Sequence, residues 1–202
     1  MAQLETAPPP AAKFEIIWAY LRSAVEYIMA SEGPLSIKAH TAVYSAVYEC
    51  CAQDTRKGHS ARPDGPKLYI ELVLFFTSQV EDIRHKTLAQ KEDSELIRCY
   101  AREWAQYRRG ALSLRSLFVP LARAYLKRAR EFEEDKKHIL HEVHTLALVL
   151  WKTNFFTLAQ NSGPRITSAL MRMIARERNG EDVDQDVIRS VVDSFSHLSQ
   201  LE

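Results

Sequence analysis

Three histidines and one glutamate lie within a short segment and could in principle hold a metal ion. His138, His141 and His144 recur at every third position, with Glu142 among them, and imidazole and carboxylate groups are common zinc ligands. Steps of three residues spread the side chains over about 120° of a helix, and the order differs from the HExxH pattern of metalloproteases. No second ligand group with a matching spacing occurs elsewhere in the sequence. We therefore interpret the histidines as polar residues of a seam between helices, and we expect no metal and no cofactor.

The cysteines are the candidate nucleophiles. Cys50, Cys51 and Cys99 form no CxxC pair and are odd in number, which argues against a redox motif or a disulfide framework. Cys50 or Cys51 could pair with a distant histidine, but a buried helical thiol has a raised pKa and is a poor nucleophile. The sequence also contains no nucleophile elbow, phosphate loop or dinucleotide motif. We predict reduced, buried thiols and no catalytic residues, in a protein of the cytoplasm and nucleus.

A basic cluster at Arg123–Arg130 could bind nucleic acid. Four cations surround Tyr125 there, and cations beside an aromatic ring suit a phosphate backbone. Acidic residues at 131–135 follow at once and weaken this field, and the whole chain has a net charge of only +1. Nucleic-acid binding through Arg123–Arg130 is therefore the alternative function, while a solvated helix end with no nucleic-acid partner is the simpler interpretation.

The segment Ser36–Ala52 predicts one helix with two distinct faces. A surface helix needs only one apolar stripe to pack on its own core. Tyr44 and Tyr48 are one turn apart on the other face, so their rings can form an aromatic ridge of the kind enriched at interfaces. That ridge is either buried by the same fold or offered to a partner. At about 100° per residue, the first stripe is Ala39, Val43, Ala46, Val47 and Cys50, and the second stripe is Ile37, His40, Thr41, Tyr44 and Tyr48.

Helices must position all of these residues, because no segment of useful length alternates with a period of two. Apolar residues make up 46% and charged residues 26% of the 202 positions, as in ordinary globular domains. Residues 1–12, with three consecutive prolines, predict a disordered lead. Residues 13–202 predict a single all-α domain, with Trp18, Trp104 and Trp151 in its core. No apolar run is long enough to span a bilayer, so we expect no membrane association.

The predicted helices form five main elements and short C-terminal ones. Ser36 is a suitable N-cap for the second helix. Gly110 and Pro120 are expected to bend or break the long fourth run. The predicted helical segments are Lys13–Ala30, Ser36–Ala52, Lys67–Leu88, the run from Ser94 to Tyr125, the segment from Ile139 to Leu158, Arg165–Arg178 and Val183–Leu198.

Several motifs, in order along the chain, resemble the N-terminal repeat of the cullin family. The most specific is Met173–Glu181, which contains the sequence ERNGE and is similar to the turn that ends the first cullin repeat. The resemblance covers about residues 13–198 and is closest to the class that builds SCF-type ubiquitin ligases. The other matching segments are Ile17–Leu21, Tyr44–Tyr48, Glu103–Arg108, Leu146–Trp151 and Ile188–Val192.

This resemblance implies a cullin-repeat helical bundle that serves as a non-catalytic scaffold. Its partner would be a Skp-like adaptor with a BTB/POZ-type fold, and F-box receptors would bind through that adaptor. Carried over by position, the adaptor contacts lie on the second stripe of the second helix and near Tyr125. The implied adaptor-binding residues are Ile37, His40, Thr41, Tyr44, Tyr48, Tyr125, Lys127 and Arg128.

Two departures from the family pattern qualify this expectation. His40 and Thr41 stand where SCF-type members have an aromatic residue and a methionine, and the lost apolar area should weaken or redirect adaptor binding by about 1–3 kcal/mol. The 202 residues also cover only one repeat, so the RING subunit is not expected to bind them. The chain is then either a fragment of a longer cullin or a short form that competes for the adaptor.

Overall fold

The structure is a computed structural model, and it describes residues 2–9, 12–30, 33–52, 64–127, 140–161 and 163–201. Across these ranges it contains helices and no β-strand, so the all-α prediction is confirmed. Residues 128–139, which include the acidic run at 131–135 and His138, lie outside the described residues. No helix in the described ranges is long and apolar enough to cross a membrane.

The helices follow the predicted order closely. A short 3₁₀-helix, Ala2–Glu5, precedes them. The first four helices are α1 (Phe14–Ala30), α2 (Ile37–Cys51), α3 (Gly65–Leu88) and α4 (Asp93–Leu117). The others are α5 (Val119–Leu121, continued by a π-helical turn Ala122–Leu126), α6 (Val143–Trp151, continued by a π-helical turn Lys152–Thr157 and by Leu158–Asn161), α7 (Arg165–Arg178) and α8 (Gln185–Ser199).

The chain divides into two compact units. Unit 1 comprises Met1–Val73 and Arg109–Leu146, and unit 2 comprises Leu74–Arg108 and Ala147–Glu202. The long helices α3 and α4 contribute residues to both units. A helix of 24 or 25 residues spans about 36 Å, so its two halves can pack into different cores.

The 3₁₀-helix at the beginning of the chain contacts α1 and the start of α2 within unit 1. Leu4 is buried, and its carbonyl accepts a 2.7 Å hydrogen bond from the hydroxyl of Tyr20. Glu5 contacts the start of α2 through Ser36. One buried leucine and one paired carboxylate thus contribute to the packing of this short segment.

Aromatic residues fill the core of unit 2. The fully buried Trp151 ring stacks on Phe155, with centroids 4.8 Å apart and planes 2° from parallel. Tyr107 lies 4.9 Å from the same ring and donates a 2.9 Å hydrogen bond to the carbonyl of Ala147. Burial raises the pKa of Tyr107 well above its usual range, so this hydroxyl remains a donor. Trp104 is also buried, as predicted, whereas Trp18 in unit 1 is only half-buried.

The ERNGE segment forms the turn that ends α7. Asn179 caps the helix, and Gly180 has a φ of 82°, a conformation that favours glycine. The amide of Glu181 donates a 3.1 Å hydrogen bond to the carbonyl of Arg176, and its carboxylate forms a 2.7 Å ion pair with the side chain of Arg176. Asp184 then caps α8 by accepting a hydrogen bond from Val187. The motif therefore encodes one helix stop and the next helix start.

The expected break of the helical run is confirmed before Pro120, and no break occurs at Gly110. Helix α4 ends at Leu117, just before Pro120, but it continues through Gly110 without interruption. A glycine costs a helix interior only about 1 kcal/mol, and here the missing side chain permits a close approach. A Cβ added at Gly110 would lie 2.7 Å from Sδ and 3.0 Å from the backbone Cα of Met29 in α1.

Replacing Gly110 by alanine should destabilise the protein by about 1–3 kcal/mol, because the backbone of α1 must move to admit the methyl group. Chemical denaturation measures the change. Gly33→Ala is the matched control, since a Cβ there meets nothing within 4 Å, and its effect should stay within about 0.5 kcal/mol. A Gly110→Ala variant as stable as the parent would contradict the close packing of α1 on α4.

The adjacent thiols of α2 are buried, as predicted. Cys50 and Cys51 are each 4% exposed. Burial raises the pKa of each thiol from about 9 to about 12, and the negative charge of Asp64 adds to the effect at Cys50. Both groups are therefore neutral thiols over the physiological pH range.

Alkylation of Cys50 and Cys51 by iodoacetamide at pH 8.5 should be on the order of 100- to 1000-fold slower in the folded protein than in guanidinium, because the thiolate is the reactive form. Mass spectrometry of the modified peptides measures this ratio. Since folding raises both pKa values, their contribution to stability is present below pH 9 and is lost as the pH rises toward 12. Fast alkylation of the native protein would contradict the buried assignment.

Candidate functional site

The first stripe of α2 packs inward, which confirms its prediction as the core face. None of its five members is more than 4% exposed. The stripe packs in unit 1, where α2 contacts the 3₁₀-helix, α1 and α5. A helix that already buries one complete face has no need of a second apolar face for its own folding.

The second stripe of α2 points away from this packing. Ile37 is 88% exposed and Tyr48 is 55% exposed. Thr41 is also exposed, while His40 and Tyr44 are half-buried. An isoleucine that is almost fully exposed contributes nothing to the core, and together with the tyrosines it forms an apolar strip along one helix face. The structure therefore brings all five predicted α2 residues together on one surface.

Polar contacts hold the start of α2 in place. Ser36 has the extended backbone of an N-cap and accepts a 3.1 Å hydrogen bond from the amide of Ala39, as predicted. Its hydroxyl donates to Glu5 at 3.2 Å, and the second carboxylate oxygen of Glu5 lies 3.4 Å from Nζ of Lys38. A carboxylate near the first turn also suits the positive end of the helix dipole. These contacts fix the end of α2 that carries Ile37.

The polar members of the second stripe have partners inside the protein. The hydroxyl of Thr41 donates a 2.9 Å hydrogen bond to the carbonyl of Ile37. Nε2 of His40 lies 3.3 Å from Oγ of Ser116, near the end of α4. A partner that covers this surface would therefore leave neither group without a hydrogen bond, which lowers the cost of burying it.

Tyr125 lies in the π-helical turn that follows α5. Its ring centroid is 5.9 Å from that of the buried Tyr69, and a Cβ added at Gly65 would lie 3.1 Å from the Cβ of Tyr125. The ring is therefore held at the start of α3 and is half-buried. Helix α5, which precedes it, packs on α2. Lys127 is exposed, and Arg128 lies outside the described residues.

The alternative sites lie partly outside the described residues. No group of three histidine, cysteine, aspartate or glutamate side chains among the described residues could hold a metal ion, and His138 is not described. His141 and His144 are half-buried. In the basic cluster, Arg123 and Lys127 are exposed, and the segment beyond Lys127 lies outside the described part of the chain.

Sequence reasoning missed the part of α4 that borders the second stripe. Ser116 contacts His40 from 76 positions further along the chain, and no periodic pattern reports a contact of that range. Leu112 is 55% exposed one turn before Ser116. The sequence does indicate that Leu112 is exposed, because Leu112 is out of phase with the buried residues Leu114, Leu117 and Leu121.

Comparison with known proteins agrees with this architecture. Cullin-1 of Schizosaccharomyces pombe is 26% identical over 191 residues, which cover 90% of this chain and 24% of the relative. Cullin-1 of Dictyostelium discoideum is 29% identical over 169 residues, or 78% of this chain and 21% of the relative. Cullin-3B of Arabidopsis thaliana is 25% identical over 136 residues, or 67% of this chain and 17% of the relative. The chain thus spans at most about a quarter of the length of these relatives.

A family model decides the assignment. The model of the cullin alpha solenoid domain matches residues 18–202, a range that includes all of unit 2, most of unit 1 and the ERNGE turn. The helix order, the two-faced α2 and this match lead to one conclusion: the chain belongs to the cullin family.

Proposed function

We propose that this chain is a scaffold module of a cullin-RING-type ubiquitin ligase and that it binds a Skp-like adaptor with a BTB/POZ-type fold. The module has no catalytic residues of its own and acts in the cytoplasm and nucleus. F-box receptors attach to the adaptor and not to this chain. A chain of these 202 residues also competes with longer cullins for the same adaptor.

One observation carries this proposal. The second stripe of α2 exposes Ile37 and Tyr48, while the opposite stripe of the same helix is completely buried. Protein interfaces are enriched in tyrosine because its ring buries a large area and its hydroxyl keeps a polar partner. A helix face of this composition, held at its first turn by Ser36 and Glu5, is ready to bind without further ordering.

Adaptor binding depends mainly on Tyr44 and Tyr48. Tyr44 is half-buried, so its ring is supported by the protein before a partner arrives, and Tyr48 is more exposed one turn later. Residues that combine support with partial exposure are typical interface hot spots. His40 and Thr41 add polar groups that are already hydrogen-bonded. They contribute less apolar area than an aromatic residue and a methionine would.

The resemblance to SCF-type cullins supports a Skp-like adaptor as the partner of this chain. The matches to the cullin-1 proteins cover 90% and 78% of this chain, whereas the match to cullin-3B covers 67%. We therefore choose a Skp-like protein as the first partner to test.

The double variant Tyr44→Ala with His40→Ala should lose adaptor binding by about 30-fold or more, as expected for a hot-spot pair. Calorimetric titration with a purified Skp-like adaptor measures the affinity. Ile16→Ala is the matched control, because Ile16 is 55% exposed on α1 and should leave the affinity unchanged. Helicity and melting temperature should stay close to those of the parent chain.

Retained binding in the double variant would exclude the second stripe as the adaptor surface. A large fall in melting temperature would instead show that Tyr44 is a core residue whose loss unfolds α2.

The parent chain should also displace a complete cullin from the adaptor in a competition assay. The double variant should fail to do so at the same concentration, because competition requires the same surface. If the parent chain and the complete cullin bind the adaptor together, the proposed competition is wrong even where direct binding is confirmed.

A further inference from the structure

The second stripe of α2 does not end at the edge of that helix. Nε2 of His40 lies 3.3 Å from Oγ of Ser116, and Ser116 is itself exposed. The last turn of α4 is therefore a direct neighbour of the second stripe within unit 1. A flat or convex partner that covers His40 would reach this part of α4 as well.

An apolar residue lies on that part of α4. Leu112 and Ser116 are four positions apart in an uninterrupted helix, so their side chains share one face with Cβ atoms about 6 Å apart. Leu112 is 55% exposed. Its neighbours on the inward side, Ala111 and Leu114, are fully buried, so the leucine cannot turn into the core without displacing them.

Leu112 lies one turn before Ser116, the residue of α4 that contacts a polar part of the second stripe. The α2 residue in that contact is His40, whose ring is polar. Next to it on the stripe, Thr41 has its hydroxyl bonded within the helix. Leu112 is continuous with the second stripe and adds apolar area near its polar residues His40 and Thr41. The protein that covers Leu112 is therefore the same one that binds Tyr44 and Tyr48.

We propose that Leu112 is an additional anchor of the adaptor-binding surface, and that it supplies from α4 the apolar contact that His40 and Thr41 do not provide on α2. This proposal rests on the proposed function. The docking surface then consists of the second stripe together with Leu112 and Ser116, and the preference of this chain among adaptors is set partly by α4.

The experiment compares adaptor affinity among single variants by calorimetric titration. Leu112→Ala should weaken binding about 5- to 30-fold, and the conservative Leu112→Met should bind nearly as the parent does. Met171→Ala is the matched control, because Met171 is 61% exposed on α7 in unit 2, and it should leave the affinity unchanged. Thermal melting confirms that each variant folds.

A double-mutant cycle tests whether Leu112 acts at the same site as His40. The effects of His40→Ala and Leu112→Ala should be non-additive, because the two residues are neighbours across the Ser116 contact. The effects of His40→Ala and Met171→Ala should add.

Several outcomes would overturn this proposal, and they differ from those that overturn the proposed function. If Tyr44→Ala with His40→Ala abolishes binding while Leu112→Ala binds as the parent does, only the role of Leu112 is wrong. If neither change affects binding, the adaptor does not use this surface at all. If Leu112→Asp abolishes self-association of the parent chain in size-exclusion chromatography and leaves adaptor affinity unchanged, the occupant of Leu112 is a second copy of the chain.

Discussion

The candidate site depends on the burial of the first stripe of α2. Val43 and Val47 are at most 1% exposed, and this packing fixes the rotation of the helix about its own axis. Because side chains on a helix are separated by about 100° per residue, fixing one face also fixes the other. Tyr44 and Tyr48 lie on the other face because Val43 and Val47, which precede them in the sequence, point inward. A substitution that disrupts the packing of the first stripe would therefore also shift the side chains of the second stripe, although it replaces none of them.

Two polar contacts add to this constraint at separate points along α2. Glu5 and Ser36 hold the first turn, and Ser116 meets His40 one turn later. Surface contacts of this kind contribute little to global stability, about 0–1 kcal/mol each. Their main effect is to position the second stripe, since they join the beginning of the chain and the end of α4 to the same face of α2. Elements distant in sequence are thereby assembled around one surface.

Much of this could be predicted from local patterns. Both stripes of α2, the Ser36 cap, the break at Pro120 and the bounds of α7 follow from periodicity and from the backbone preferences of single residues. The features that local patterns do not predict depend on partners remote in sequence. Met29 approaches Gly110 closely, and Tyr20 and Ser36 form hydrogen bonds with Leu4 and Glu5. The exposure of Leu112 is predictable from its phase, but the contact of Ser116 with His40 is not.

The most direct measurement of the central claim is hydroxyl-radical footprinting of the chain with and without a purified Skp-like adaptor. It reports the solvent exposure of individual side chains in the native complex. The account predicts that oxidation of Ile37, Tyr48 and Leu112 falls when the adaptor binds, while oxidation of Ile16 and Met171 does not change. Unchanged oxidation of Tyr48 and Ile37 in a chain that is saturated with adaptor would contradict the assignment of the second stripe as the binding surface.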